Sequence, residues 1–368
     1  MKNIIVIMGG NSLERDISII TANQVLNNID TTKYKVYPLM LDHGFYYIRN
    51  PKDIQTYIKK DNKDFIKAVI SNKKLYLLKR NKFAQEVDID CAMLCTHGGN
   101  GENGSLQGLL EIEDIPYTSP SLQASCICMH KNLTKKFLKN LGVPYLKSIS
   151  LKYNEQVENI CKDIEYPIIV KPNSLGSSIG ISVVNNKEEF LNALKVAFML
   201  DEEIIIEKEL KNFREINIAC YMKDNSVVLS QIEETKGVNK FFSFEEKYMN
   251  NNDNLSKVIP AEIEDYLANK IRAYTEKIYL KLGGKGLVRF DYLLEGGTKL
   301  YLNEINTIPG SMAFYLFKDI SFKELITQQI EESIKISKRQ KRECEYKSNV
   351  LEHYAMNNKN LKISKFAK

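Results

Sequence analysis

The sequence predicts a chain of mixed α/β and α+β class that begins with a doubly wound α/β domain. Three observations predict it. Apolar strand-like runs alternate with helix-patterned segments through the first third of the chain, which is the pattern of strands joined by crossover helices in a parallel sheet. Glycine-rich loops, Gly9-Gly10-Asn11-Ser12-Leu13-Glu14 and His97 to Gly104, follow two of those strands, at the carboxyl ends where such sheets bind ligands. A hairpin near the end, Gly286 to Asn306, places charged residues two apart on each strand.

In order, residues 3–8 read as a short apolar strand, and Arg15 to Asn28 has helical spacing of apolar residues. Val36 to Met40 and Phe45 to Ile48 read as strands, as does Asp88 to Cys95, with a helix near Leu106 to Glu113. One helix is expected over Ser125 to Leu141, carrying Lys131, Lys135 and Lys136 and stopped by Gly142-Val143-Pro144. A strand from Tyr166 delivers Lys171 into Pro172-Asn-Ser-Leu-Gly176-Ser177-Ser178-Ile-Gly180. Backbone N–H groups, hydroxyls and one lysine in such a loop suit a phosphate. It is no Walker A loop, because the lysine precedes the glycines. A strand at Ile181 to Val184, a helix at Lys187 to Phe198 and a strand from Glu203 follow. The acids after that strand, Glu207 first, suit either an adenosine site or an exposed strand end.

In the hairpin, Gly296-Gly297 has the composition of a two-residue turn. Folding about it sets Arg289 opposite Glu304 and Asp291 opposite Leu302. Side chains two apart share a strand face, so Arg289, Asp291, Glu304 and Asn306 point the same way. Three hard oxygen ligands beside an arginine suit magnesium-bound phosphate.

Composition narrows the alternatives. The chain has 368 residues, 43% hydrophobic and 27% charged, ordinary for a soluble protein and enough for two or three domains. The opening apolar run ends at Gly9, too short for a signal peptide or a membrane span. Seven cysteines without a Cys-x-x-Cys pair, and four scattered histidines, argue for a reducing cytoplasm and against a disulfide framework or zinc site. The net charge is +6, but residues 335–368 hold ten Lys and Arg against Glu343, Glu345 and Glu352. The body is therefore near neutral, and no nucleic-acid partner is expected. The tail reads as a solvated helix and a terminus.

Taken together, the motifs resemble the D-alanine–D-alanine ligases of the ATP-grasp superfamily. The resemblance runs over residues 3–320 and rests on the two glycine-rich loops, Pro116-Tyr117-Thr118, Lys171 to Gly180, Glu246-Lys247-Tyr248 and Asn303-Glu-Ile-Asn-Thr-Ile-Pro-Gly310. It implies an ATP-grasp architecture: an N-terminal domain at 1–123, a central subdomain at 124–213, a C-terminal subdomain at 214–330 and a basic tail at 331–368. It implies ATP and Mg²⁺ (or Mn²⁺), D-alanine as substrate, a homodimer, and a cell-wall role. In the family reaction the carboxylate of one D-alanine attacks the γ-phosphate of ATP, and a second D-alanine's amine displaces phosphate from the acyl phosphate.

Residue by residue, the resemblance gives Asp291, Glu304 and Asn306 the metal, and Lys131, Lys171 and Lys247 the triphosphate. Ser178 belongs to the phosphate loop, and Glu207, Leu210 and Glu215 match the adenine and ribose contacts. Arg289 and the Gly310 N–H match the oxyanion pair. Glu14 meets the first substrate's ammonium and, with Ser177 and Tyr248, pins a lid at Lys236 to Asp253. His97 lies near the first substrate, and Tyr315 and Leu316 near the second.

Four departures stand out. The interval from Glu207 to Glu215 is one residue longer than usual, His130 and Asn103 stand where Asp is expected, and Tyr315 stands where many members place serine. Tyr248, rather than the histidine of D-lactate-using relatives, favours an amine acceptor. Two alternatives remain: a D-Ala–D-Ser or related ligase, and a non-catalytic nucleotide-binding protein. Intact Lys171, Arg289, Asp291, Glu304 and Asn306 argue against the second.

Overall fold

The computed structural model describes residues 1–59, 63–80, 82–153, 155, 164–236, 256–340 and 348–357. Residues 1–334 form one compact unit, and 335–368 a second. The N-terminal sheet has seven strands, β1 (Lys2–Gly9), β2 (Tyr34–Leu41), β3 (Phe45–Ile48), β4 (Phe65–Ser71), β5 (Lys74–Lys79), β6 (Lys82–Asp88) and β7 (Cys91–Leu94), in the order β6-β5-β4-β3-β2-β1-β7. Its core is doubly wound as expected. Helix Arg15–Asn28 covers one face through Ile19, Ala22, Val25 and Leu26 against Ile4, Val6 and Met8, and helix Ser105–Ile112 covers the other through Leu106 and Leu110 against Ile5 and Ile7.

The sheet is not wholly parallel, however. Only β2, β1 and β7 run parallel, and β3 to β6 form an antiparallel meander. The turn between β4 and β5 puts Asn72 and Lys73 at φ +51° and +62° with no glycine, so the usual hairpin signal is missing. The expected strand from Asp88 breaks as well: β6 ends there and β7 begins at Cys91.

The expected helix from Ser125 is two, Leu122–Met129 and Lys131–Leu141, broken at His130. His130 takes φ −96° and ψ 100°, and its Nδ1 accepts from the Leu133 N–H. It caps the second helix, which is work an aspartate at this position would do equally well.

A four-stranded antiparallel sheet follows: β8 (Ser148–Lys152), β9 (Ile168–Pro172), β10 (Ser182–Val184) and β11 (Glu203–Lys208), in the order β10-β9-β11-β8, backed by helix Lys187–Phe198. The last sheet has β12 (Phe213–Lys223), β13 (Ser226–Leu229), β14 (Glu233–Lys236), β15 (Ser256–Val258), β16 (Val288–Glu295) and β17 (Lys299–Asn306), ordered β15-β14-β12-β16-β17 with β13 beside β12. One face packs Ile216, Ile218, Val288, Phe290 and Tyr292 against Leu267, Ile271 and Ile278 of helix Asp265–Lys281. Helix Phe322–Gln340 buries Leu325, Ile326 and Ile330 in the core. Within the second unit, the side chains of Val350 to Met356 in helix Val350–Asn357 are exposed. Among the described residues no helix is long and apolar enough to cross a membrane.

The β16–β17 register differs from the expected one by two residues. Glu295 pairs with Lys299 across a three-residue turn, and between Asp291 and Tyr292 the register shifts by one more at Asn303. Asp291 therefore faces Glu304, and Arg289 faces Asn306. One added residue alone would have turned Glu304 and Asn306 to the opposite face. The turn and the bulge together restore the common face.

Candidate active site

Register extends that polar face across the sheet. Glu233 of β14 pairs with Asn217 of β12, Asn217 with Asp291 of β16, and Asp291 with Glu304 of β17. These four stand in one row, with Arg289 and Asn306 in the next row and Glu215, Thr235 and Lys257 in the row on the other side. They line a cavity of about 260 Å³. The rest of the wall includes Glu14 and His97 from N-terminal loops, Glu102 at the end of the short helix Gly99–Glu102, Lys131, the Leu175-Gly176-Ser177 segment, and Gly310 with Tyr315.

At the centre, Arg289 grips Asp291 with both arms, Nε to Oδ1 at 2.7 Å and an Nη to Oδ2 at 2.8 Å, and the Asn306 amide donates to Oδ2 at 2.8 Å. Among the described residues no cluster of three or more His, Cys, Asp or Glu could hold a metal. Two carboxylates at directly opposed strand positions and one amide nonetheless fit a hard cation that takes its remaining ligands from phosphate oxygens. Rotating the Asn306 amide would bring its oxygen to such an ion.

Glu14 accepts a hydrogen bond from the Ser177 hydroxyl. Two glycines make room for that carboxylate. A Cβ on Gly98, at φ +65°, would lie 2.5 Å from Glu14 Oε2, and one on Gly176 would lie 3.3 Å from either oxygen. Lys247 and Tyr248, and the lid expected from Lys236 to Asp253 beyond its first residue, lie outside the described residues.

His97 is buried, with Nε2 3.0 Å from the Thr21 hydroxyl. Burial, and then the charge of Arg289, lowers its pKa to about 4, against the pull of a bond to the Ile308 backbone. The imidazole is therefore neutral at pH 7, suited to positioning rather than to carrying charge.

Lys131 donates to the Leu175 carbonyl and faces the cavity. Burial lowers its pKa, with Glu304 opposing and Lys171 reinforcing. Lys171 itself is not on the cavity wall: it pairs with Glu207 at 2.7 Å, and Lys135 pairs with the other Glu207 oxygen. Glu207 is 3% exposed, so here it serves as counterion to two buried lysines. Ser178 and Leu210 also stand back from the cavity wall. Leu316, expected at the second substrate, is wholly buried in the core instead.

Sequence reading missed Glu102, Asn217, Glu233 and Lys257. Asn217 and Glu233 had a signal, because Glu215-x-Asn217 and Glu233-x-Thr235 repeat the two-residue spacing of the hairpin. Glu102 sits within a recognised loop. It accepts from the Gly98 N–H at 2.9 Å, the Thr307 hydroxyl at 3.0 Å and the Ile308 N–H at 3.1 Å. Burial and the charge of Glu14 raise its pKa to about 7 against those three donors. Together with Thr21, whose hydroxyl accepts from the Ser311 N–H at 3.1 Å, Glu102 hangs the loop carrying Gly310 on the N-terminal domain. Beyond Gly310, Ser311, Met312 and Ala313 all take left-handed φ, between +44° and +51°, strain of a kind that concentrates at working sites.

Comparison with known proteins shows the family. The family model described as D-ala D-ala ligase N-terminus matches residues 3–120, and the one described as D-ala D-ala ligase C-terminus matches residues 138–331. A D-alanine–D-alanine ligase of Thermosipho africanus is 35% identical over 348 residues, 90% of this chain and 92% of its own. The VanG D-Ala:D-Ser ligase of Enterococcus faecalis superposes with a TM-score of 0.75 at 28% identity, over 91% of this chain and 99% of that one. The Bacillus anthracis D-alanine–D-alanine ligase solved in complex with ATP gives 0.67 at 27% identity, over 92% and 100%. With family models spanning most of the chain and a relative this similar over nine-tenths of it, the chain is an ATP-grasp ligase that belongs to the D-alanine–D-alanine ligase family.

Proposed function

We propose that the chain joins two D-alanines into D-alanyl-D-alanine, using ATP and Mg²⁺ or Mn²⁺, to supply a peptidoglycan precursor. The observation that carries the reading is the row Asp291–Glu304 with Arg289 and Asn306 beside it, facing Glu14 across one small cavity. Phosphoryl transfer to a carboxylate needs neutralised charge more than it needs a strong nucleophile. A bound magnesium would bridge the phosphates and lower the repulsion between them and the attacking carboxylate. Asp291, Glu304 and Asn306 would hold it. Lys131, with Lys247, would face the triphosphate and Glu215 would stand at the adenosine end; Lys171, Glu207 and Leu210, which stand behind the cavity wall here, would join them only if ATP parted the Lys171–Glu207 pair. Glu14 would receive the ammonium of the first D-alanine, held by Ser177 and Tyr248. Arg289 and the Gly310 N–H would stabilise the oxyanion when the second amine attacks.

This division of labour assigns 1–123 to the N-terminal domain and 124–213 and 214–330 to the two clamping subdomains. We further infer a homodimer working in the cytoplasm, in keeping with the free thiols of Cys91, Cys95, Cys126, Cys128 and Cys220. A D-serine acceptor is the second reading, favoured by Tyr315 at the expected second-substrate position and by the likeness to a D-Ala:D-Ser ligase. Phosphate release from Mg·ATP with D-alanine alone, and then with D-serine added, tests both, with products identified by mass. D-alanyl-D-alanine as main product upholds the reading. A mixed dipeptide as main product replaces it with the second, and no turnover with any D-amino acid refutes both.

A further inference from the structure

Helix Arg15–Asn28 starts one residue after Glu14, the carboxylate that would receive the first substrate's ammonium. Ile17 and Thr21, three and seven residues on from Glu14, lie on one face of that helix. Ile17 lines the cavity, and a Cβ on Gly310 would lie 3.9 Å from its Cγ2. One turn further along, Thr21 is 1% exposed. Its hydroxyl lies 3.1 Å from the Ser311 nitrogen and 3.0 Å from His97 Nε2.

Counting hydrogens gives the direction of each bond. A backbone N–H only donates, so the Thr21 oxygen accepts from Ser311 and its one hydrogen is left for His97. The His97 ring also bonds the Ile308 backbone, in the sense that favours a protonated ring nitrogen. The Ile308 N–H is already given to Glu102, so the partner is the Ile308 carbonyl and the ring donates. A neutral imidazole carries one N–H. It therefore sits on Nδ1, Nε2 is bare, and the Thr21 hydroxyl donates to it. The bonds close a circuit around the loop: Ser311 to Thr21, Thr21 to His97, and His97 back to Ile308. Ser311 is also the first of three residues with left-handed φ. Strained backbone persists only where its surroundings over-determine it, and the Ser311 N–H is where helix Arg15–Asn28 takes hold of that run.

We propose that Thr21 is a positioning residue that aims the Gly310 N–H at the oxyanion, by tethering Ser311 directly and the Ile308 carbonyl through His97. The inference rests on the ligase reading above. Thr21 touches no reacting atom. It fixes the loop carrying Gly310 to the same helix that begins beside Glu14, so the ammonium site and the oxyanion donor keep one spacing.

Two measurements test it. Nitrogen-15 NMR of histidine-labelled protein needs no turnover, and the His97 signals are those that vanish in His97→Gln. Nδ1 is expected to carry the proton and Nε2 to be bare; a proton on Nε2 overturns the circuit. Thr21→Val then removes the hydroxyl at nearly the same shape. Turnover at saturating substrates should fall about ten- to a hundredfold, the scale of loss when a catalytic group is misplaced by about 1 Å. Half-saturation by ATP should stay unchanged, and the Nε2 signal should move to that of an unbonded nitrogen. Thr21→Ser should restore most of the turnover, and Thr21→Ala repeats the test if the valine variant folds poorly. A folded variant without the hydroxyl that turns over like the unmodified protein overturns the proposal. So does a loss of ATP affinity as large as the loss of turnover, which marks a general loosening of the fold. Unmodified protein with no turnover on any D-amino acid overturns the ligase reading and the positioning role with it, while the NMR result still decides the His97 circuit.

Discussion

Glu102→Gln separates two effects that the structure combines in one carboxyl group. The side chain keeps its shape but can no longer ionise. A carboxyl held at about 7 instead of the ordinary 4.5 corresponds to about 3 kcal/mol, at about 1.4 kcal/mol per pH unit. The sign follows from the direction. Below 4.5 both folded and unfolded chains carry the proton. Between 4.5 and 7 only the folded chain keeps it, so stability falls as pH rises and levels off above 7. Glutamine removes that descending limb. It also presents one acceptor to three donors and turns an N–H toward either Gly98 or the Thr307–Ile308 pair, at a cost of about 1–3 kcal/mol. The variant should therefore be less stable than the unmodified protein at pH 5 and gain on it by about 2–3 kcal/mol by pH 8. Turnover should drop at both, because the loop holding Gly310 is less firmly hung. Urea denaturation at the two pH values, with phosphate release measured alongside, reads both effects. Denaturation midpoints that move in parallel with pH would refute the assignment of a raised pKa to this group.

Other variants probe the centre and its support. Arg289→Ala should lower turnover at least about a hundredfold, since losing one oxyanion donor commonly removes about 3–4 kcal/mol of transition-state stabilisation; a rate like that of the unmodified enzyme at saturating substrates rejects the role. Glu207→Gln leaves Lys135 and Lys171 buried without their shared counterion. It should destabilise the fold by about 3–5 kcal/mol in chemical denaturation, and a loss below about 1 kcal/mol would mean that water reaches the lysines.

Much of the candidate site was legible because its polar residues lie in short, regular stretches. A period of two along β16 and β17 put Arg289, Asp291, Glu304 and Asn306 on one face whatever the register, provided the register was odd or even in the right sense. The register itself was not legible. It depends on a three-residue turn and an extra residue at Asn303, two local choices that leave almost no trace in composition. The helix break at His130 was hidden for a similar reason, since histidine is an uncommon cap. Of the antiparallel half of the first sheet, β3 was read but β4 and β5 were not, their turn at Asn72-Lys73 lacking glycine.

By itself, then, the sequence determined the class of fold, the strand faces and the family's chemical groups, because alternation and motif spacing are properties of neighbours along the chain. Only the tertiary structure decided how separate elements share one cavity. It brought Glu102 and Thr21 to the Gly310 loop, set Glu207 between two lysines, and joined Glu233, Lys257 and Tyr315 from three segments. Those contacts close over dozens to hundreds of residues, and they form because burying a polar group requires a partner, wherever along the chain that partner happens to lie.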